Sequence, residues 1–128
     1  MRITVYRQRG LSLNAHLQGA RMWAVQLEKT RFTYFEIEPH TQFPEHSHEE
    51  EQITLVLQGE LTFVYGGEQA TLRPGDVIAI PSGAVHSAFT GRQLCKAVDA
   101  WSPVRRDSAG PDRAFGTQTG GEHACRPL

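Results

Sequence analysis

Cysteine is scarce in this chain. Cys95 and Cys125 are its two cysteines, with no C-x-x-C and no pairing framework, so a disulfide scaffold is excluded and free thiols in a reducing compartment are expected. Long apolar runs are missing too. Nothing approaches the ~20 apolar residues of a membrane span, and the N-terminal MRITVYRQRGLSLNAHLQG has no apolar core of the kind a secretory signal needs. A cytoplasmic protein without membrane contact is the expectation. Neither sign of charge dominates, with 13 Lys and Arg against 14 Asp and Glu and a formal net charge of −1, so no global field recruits nucleic acid. No window keeps a 3.6-residue apolar period over several turns, and no internal repeat is visible.

What the chain does have is a succession of short, β-branched and aromatic segments punctuated by Gly and Pro. Strands are expected over Arg2–Tyr6, Met22–Leu27, Arg31–Glu38, Ile53–Leu57, Glu60–Tyr65, Glu68–Leu72, Val77–Ile80, Val85–Thr90 and Arg92–Trp101. Turns are expected at Gln58-Gly59, Gly66-Gly67, Arg73–Asp76 and Pro81–Gly83. Leu11–Gly19 is open between a loop and a brief helical turn, and Pro44 keeps the approach to His46 extended. Many short strands with such turns indicate an all-β sandwich or barrel in one domain of about residues 1–107. After it, Ser108–Leu128 carries four glycines, two prolines and, apart from the terminal Leu128, one large apolar residue, Phe115. That composition predicts a loosely draped tail, and its His123 and Cys125 alone do not make a metal site.

The chemistry concentrates at His46-Ser47-His48-Glu49-Glu50-Glu51-Gln52. On extended backbone, side chains alternate with period two, so His46 and His48 share a face and can grip one divalent ion. An isolated His-x-His is as easily a solvated strand edge. A second block, Gly75-Asp76 followed by Pro81-Ser82-Gly83-Ala84-Val85-His86, would supply a third imidazole and changes that balance.

The two blocks together resemble the cupin superfamily. Its first motif runs G-x5-HxH-x3/4-E-x6-G and its second G-x5-P-x-G-x2-H-x3-N. His46, His48, Gln52 and Gly59 fit the first from its HxH onward, and Gly75, Pro81, Gly83 and His86 fit the second. The resemblance implies a jelly-roll barrel (double-stranded β-helix) holding one divalent transition metal on His46, His48, His86 and a fourth donor. Three positions depart from the motifs: His40 stands for the opening glycine, Thr90 for the trailing asparagine and Gln52 for the acidic ligand. His visits positive φ more readily than branched residues do, so a tight turn at His40 is still expected. Gln52 matters most. By parity it shares the face of His46 and His48, whereas its acidic competitor Glu51 points the other way. A neutral Gln oxygen leaves the full charge on the ion, which favours Lewis-acid work over stabilising a higher oxidation state. Imidazoles and a carbonyl oxygen suit Zn, Ni, Mn and Fe(II) alike.

A second string, Val98-Asp99-Ala100-Trp101-Ser102-Pro103-Val104-Arg105-Arg106-Asp107, is similar to the D-x-[FW]-[ST]-P-x-R-x-D ending of small single-domain cupins, among them the uronate-linearising enzymes of pectin and alginate breakdown. The resemblance places functional residues on Asp99, Trp101 and Arg105. Asp99 would move a proton to or from the sugar, Trp101 would stack on it, and Arg105 would clamp its carboxylate. On an extended strand Cys95, Ala97, Asp99 and Trp101 share one face, which fits an interior position. The reading implied is a Lewis-acid metalloenzyme opening the ring of unsaturated uronates. Beside it stand a metal-dependent dioxygenase or polyketide-type cyclase, and a cupin that binds a small molecule without turnover. Pairing into a homodimer is also expected, with Arg2–Tyr6 as a strand able to add to a neighbour's sheet edge.

Overall fold

A computed structural model describes residues 2–17, 19–104 and 113–115. Its eleven strands are β1 (Asn14–Leu17), β2 (Ala20–Gln26), β3 (Arg31–Ile37), β4 (Gln42–His46), β5 (Glu51–Gln58), β6 (Leu61–Tyr65), β7 (Glu68–Leu72), β8 (Val77–Ile80), β9 (His86–Thr90), β10 (Cys95–Ser102) and β11 (Arg113–Phe115). They form two antiparallel sheets. The larger has the order β1-β2-β3-β10-β5-β8, with β11 also on β2, and the smaller runs β4-β9-β6-β7. Strands distant in sequence lie side by side: β10 stands between β3 and β5. This is the all-β jelly roll that the Gly/Pro punctuation and the two motifs implied. No helix among the described residues is long and apolar enough to cross a membrane.

The strict alternation in β2, β3, β5 and β10 decides what faces inward. Phe35 and Ile37 from β3, Val56 from β5, and Cys95 and Ala97 from β10 are buried with Leu61 and Phe63 of the facing sheet. These residues form an apolar floor. Toward the other end of the same strands the inward positions turn polar, at Arg31, Thr33, Gln52, Thr54 and Asp99. Burial pushes the Cys95 thiol up to about 11, helped by the nearby Asp99 charge, so it is an inert core group and not a nucleophile.

Several local expectations are corrected. Arg2–Tyr6 holds no strand, and Ile3 in it is 85% exposed. The stretch left open between loop and helical turn contains β1, preceded by a 3₁₀ turn at Gln8–Gly10. Gln42–His46 is a strand, in keeping with the extended approach to His46 expected at Pro44. It sits at the sheet edge, and its pairing with β9 shifts between Phe43 and His46, the irregularity at which a proline is tolerated. In the supposed tail, Arg113–Phe115 pairs with Ala24–Gln26 as β11. The remainder of residues 108–128, with His123 and Cys125, lies outside the described residues.

The turns follow the motif glycines. Gly59, Gly75 and Gly83 all have positive φ, as does His40 at +57° in place of the motif's first glycine. Thr90, standing for the motif's asparagine, anchors the His40 turn: its hydroxyl donates to the Glu38 carbonyl and accepts from the Thr41 N–H. Gly59 combines φ +73° with a close approach, since a Cβ there would run into the Leu94 carbonyl. We therefore expect Gly59→Ala to lower the unfolding free energy by at least ~2 kcal/mol, read as a reduced midpoint in urea unfolding.

Candidate metal centre

The smaller sheet and its edge loop bring the histidines together. His46 at the end of β4 is paired with His86 at the start of β9. Gly83 N–H donates to the His48 carbonyl at 2.8 Å, tying the second motif's turn to the first motif's loop. The result is that ligating atoms of His46, His48 and His86 all lie within 4.8 Å of one another.

Their tautomers are set by the backbone. Nδ1 of His46 donates to the Pro44 carbonyl, that of His48 to Glu50 and that of His86 to Ala84, each at 2.9 Å. A carbonyl can only accept, so each Nδ1 carries a proton, and in the neutral imidazole each Nε2 then presents a lone pair. A hydrogen bond from the second ring nitrogen is how metal-binding imidazoles are oriented. Burial lowers the proton affinity of His86, and the neighbouring His46 and His48 lower it further, which keeps its Nε2 open for coordination.

The fourth donor follows by the same reasoning. Gln52 is 6% exposed and faces inward, whereas Glu51 is exposed on the outer side. The Gln52 oxygen sits 3.0 Å from His48 Nε2, while its amide N–H donates to Thr54 Oγ1 at 2.9 Å. Thr54 in turn donates to Asp99 Oδ1 at 2.6 Å, so while Asp99 is ionised the single Thr54 proton is used and this orientation of the Gln52 amide is favoured. With His48 in this neutral tautomer, two lone pairs face each other at His48 Nε2 and Gln52 Oε1. That contact is unfavourable between neutral groups and becomes favourable when both donate to one cation. The donor set therefore fits a divalent ion held by three imidazoles and one amide oxygen.

The sequence between Thr33 and Ala100, more than half of the chain, matches the family model of the cupin domain (residues 33–100). The chain is a cupin. Among solved structures it is similar to KdgF from Halomonas sp. (TM-score 0.76, 22% identity, 81% of this chain and 96% of that one). It is also similar to an RmlC-like cupin from Shewanella frigidimarina (TM-score 0.74, 18% identity, 80% and 93%). A third is AerE from Microcystis aeruginosa (TM-score 0.68, 20% identity, 81% and 48%). At these identities the likeness is one of fold. No curated protein matches the sequence.

In this cupin the three histidines open into a cavity of about 440 Å³ between the two sheets. Asp99 and Trp101 of β10 line it, and the Trp101 ring lies 5.0 Å from that of His48. Arg105, assigned by resemblance to hold a carboxylate, lies outside the described residues. Asp99 is buried at the middle of the larger sheet, with Thr33 of β3 on one side and Thr54 of β5 on the other. Burial pushes its carboxyl up to about 7, while the Thr54 hydrogen bond and the Arg31 charge pull the other way.

Sequence reasoning missed three residues of this cavity: Arg31, Thr33 and Thr54. The available signal was parity. Thr33 is a polar residue at an inward position of the otherwise apolar Phe35–Ile37 strand, and Thr54 follows Gln52 by two.

Proposed function

We propose that this cupin is a Lewis-acid metalloenzyme that opens the ring of small unsaturated uronates. The observation that carries the reading is the placement of a buried carboxyl with a proton affinity near neutrality in the same cavity as three converging imidazoles. Groups tuned in this way are suited to general acid–base work at physiological pH. The similarity of Asp99-Ala100-Trp101-Ser102-Pro103 to the strand ending of uronate-linearising cupins supports the substrate class.

A divalent ion held by His46, His48, His86 and Gln52 would polarise a hydroxyl or carbonyl oxygen of the ligand. The rest falls to the chain itself. Asp99 takes the proton of the anomeric hydroxyl as C1=O forms and the C1–ring oxygen bond breaks. The electron pair stays on the former ring oxygen as an enolate, and return of the proton to C4 gives the 5-keto acid and removes the conjugated double bond. No oxidant enters this balance, in keeping with a neutral amide as fourth donor. The Trp101 ring beside His48 gives the sugar a flat apolar wall.

The test uses metal-loaded protein and the unsaturated monouronate released by a polysaccharide lyase, following the ultraviolet absorbance of the conjugated double bond. Loss of absorbance faster than the spontaneous rate, with or without oxygen, is expected. An unchanged rate rules out this substrate, and a rate that depends on oxygen points to a dioxygenase.

A further inference from the structure

Arg31 is the one permanently cationic side chain among the described residues that line the cavity. It opens β3 on the inward face, directly opposite Trp101 of β10, and two residues from Thr33 on the same face. Its Nε is buried, and its charge acts on Asp99.

Two further polar groups flank it. Thr33 is 1% exposed, and among the described residues neither its hydroxyl nor the buried Trp101 indole N–H has a hydrogen-bond partner. Directly paired residues on neighbouring strands have Cβ atoms about 5 Å apart, and residues two apart on one strand about 7 Å. One small group can therefore reach the Thr33 hydroxyl, the Trp101 N–H and the Arg31 guanidinium together. An indole N–H only donates, so the Trp101 N–H calls for an acceptor, which the Thr33 hydroxyl and the Arg31 guanidinium can share. Leaving such buried groups unsatisfied costs about 1–3 kcal/mol each, a cost that a suitable ligand would remove.

We propose that Arg31, Thr33 and Trp101 form a carboxylate subsite, and that the ligand of this cavity is a small monoanionic hydroxy or keto acid. Its carboxylate is held here, and its hydroxyl or carbonyl end is turned toward the histidines. A carboxylate is planar, accepts only, and pairs with a guanidinium through two oxygens. At this subsite Arg31 supplies one positive charge and Asp99 stands beside it, so a carboxylate is matched in charge and the second charge of a phosphate monoester is not, while a divalent ion at the histidines would act on the other end of the ligand. The proposal deepens the ring-opening reading and rests on it for the sugar-acid scaffold. The recognition chemistry stands on the cavity alone.

Three sugars that differ only at C6 test it: galacturonate, galactose and galactose 6-phosphate, each titrated calorimetrically into the zinc-loaded protein. Galacturonate is expected to bind at least ~10-fold more tightly than either of the others, the lower end for charged hydrogen bonds. In Arg31→Gln its advantage over galactose should fall to within about twofold with zinc stoichiometry unchanged, and Arg31→Lys should keep part of it. A readout in the unmutated protein guards against a variant that fails to fold: the Trp101 indole N–H resonance should shift with galacturonate and not with galactose. Equal affinity for galacturonate and galactose, an unchanged ratio in Arg31→Gln, or an unmoved indole signal each overturn the subsite. Carboxylate selectivity without ring opening would remove the reaction and leave the subsite. Full kcat/KM for the unsaturated uronate in Arg31→Gln would remove the subsite and leave the reaction.

Discussion

Replacing Asp99 by asparagine is expected to slow ring opening by roughly 10²–10⁴-fold, the usual contribution of a positioned acid or base, while the bound metal stays in place. Asparagine keeps the shape and can still accept the Thr54 hydrogen bond, but it cannot take a proton. The separation matters because Thr54 also orients Gln52, so a crude truncation of Asp99 would disturb the fourth donor as well. If Asp99 acts as the base, it must be ionised, and the rate should rise with pH through about 7 and level off above it.

Stability moves in the opposite sense. A carboxyl whose proton affinity is higher in the folded than in the unfolded chain stabilises the protonated protein. That contribution is complete below the ordinary carboxyl value of about 4 and is lost as pH rises through about 7. Asp99→Asn should therefore unfold at a higher temperature than its parent at pH 8, with the difference shrinking toward pH 5. Such an exchange of stability for activity is common where a charge is buried for chemistry. Equal rates for Asp99→Asn and its parent would take the proton transfer away from this residue.

The second large effect concerns the ligands. His48→Ala or His86→Ala should weaken metal binding by more than ~100-fold, since loss of an outer hydrogen-bonding partner alone costs about 10–100-fold. Gln52→Ala should weaken it less, because one neutral oxygen of four donors is lost and water can replace it. Glu51→Ala should leave occupancy unchanged, as its side chain is exposed on the outer side. Metal content per chain, by mass spectrometry after dialysis, ranks the four variants. Metal added to the unmutated protein should also raise its stability, by about 2.7 kcal/mol at 100 times Kd, and should not do so in His86→Ala.

The histidines were legible in the sequence because their signals are local. His46 and His48 are two apart, Gly59, Gly75 and Gly83 mark the turns with positive φ, and parity alone separates Gln52 from Glu51. Asp99 and Trp101 were legible through the resemblance of their strand ending to that of small cupins, with which the two-residue period agrees. Arg31, Thr33 and Thr54 were not, because their meaning depends on register between strands far apart in the chain. β10 runs between β3 and β5, placing Asp99 opposite both Thr33 and Thr54 and placing Trp101 opposite both Arg31 and Gln52. No single-strand pattern contains that information. Arg2–Tyr6 shows the converse, since its alternation makes no strand within the single chain.

The central claim is a mononuclear centre of three imidazoles and one amide oxygen. X-ray absorption on the metal-loaded protein, with its metal content measured on the same sample, tests it most directly. One ion per chain, with three imidazole nitrogens and at least one oxygen in its coordination sphere and the signal abolished in His86→Ala, is the predicted result. Failure of zinc, nickel, manganese and iron(II) alike to bind at stoichiometric level, or a sphere without imidazole, would contradict the account.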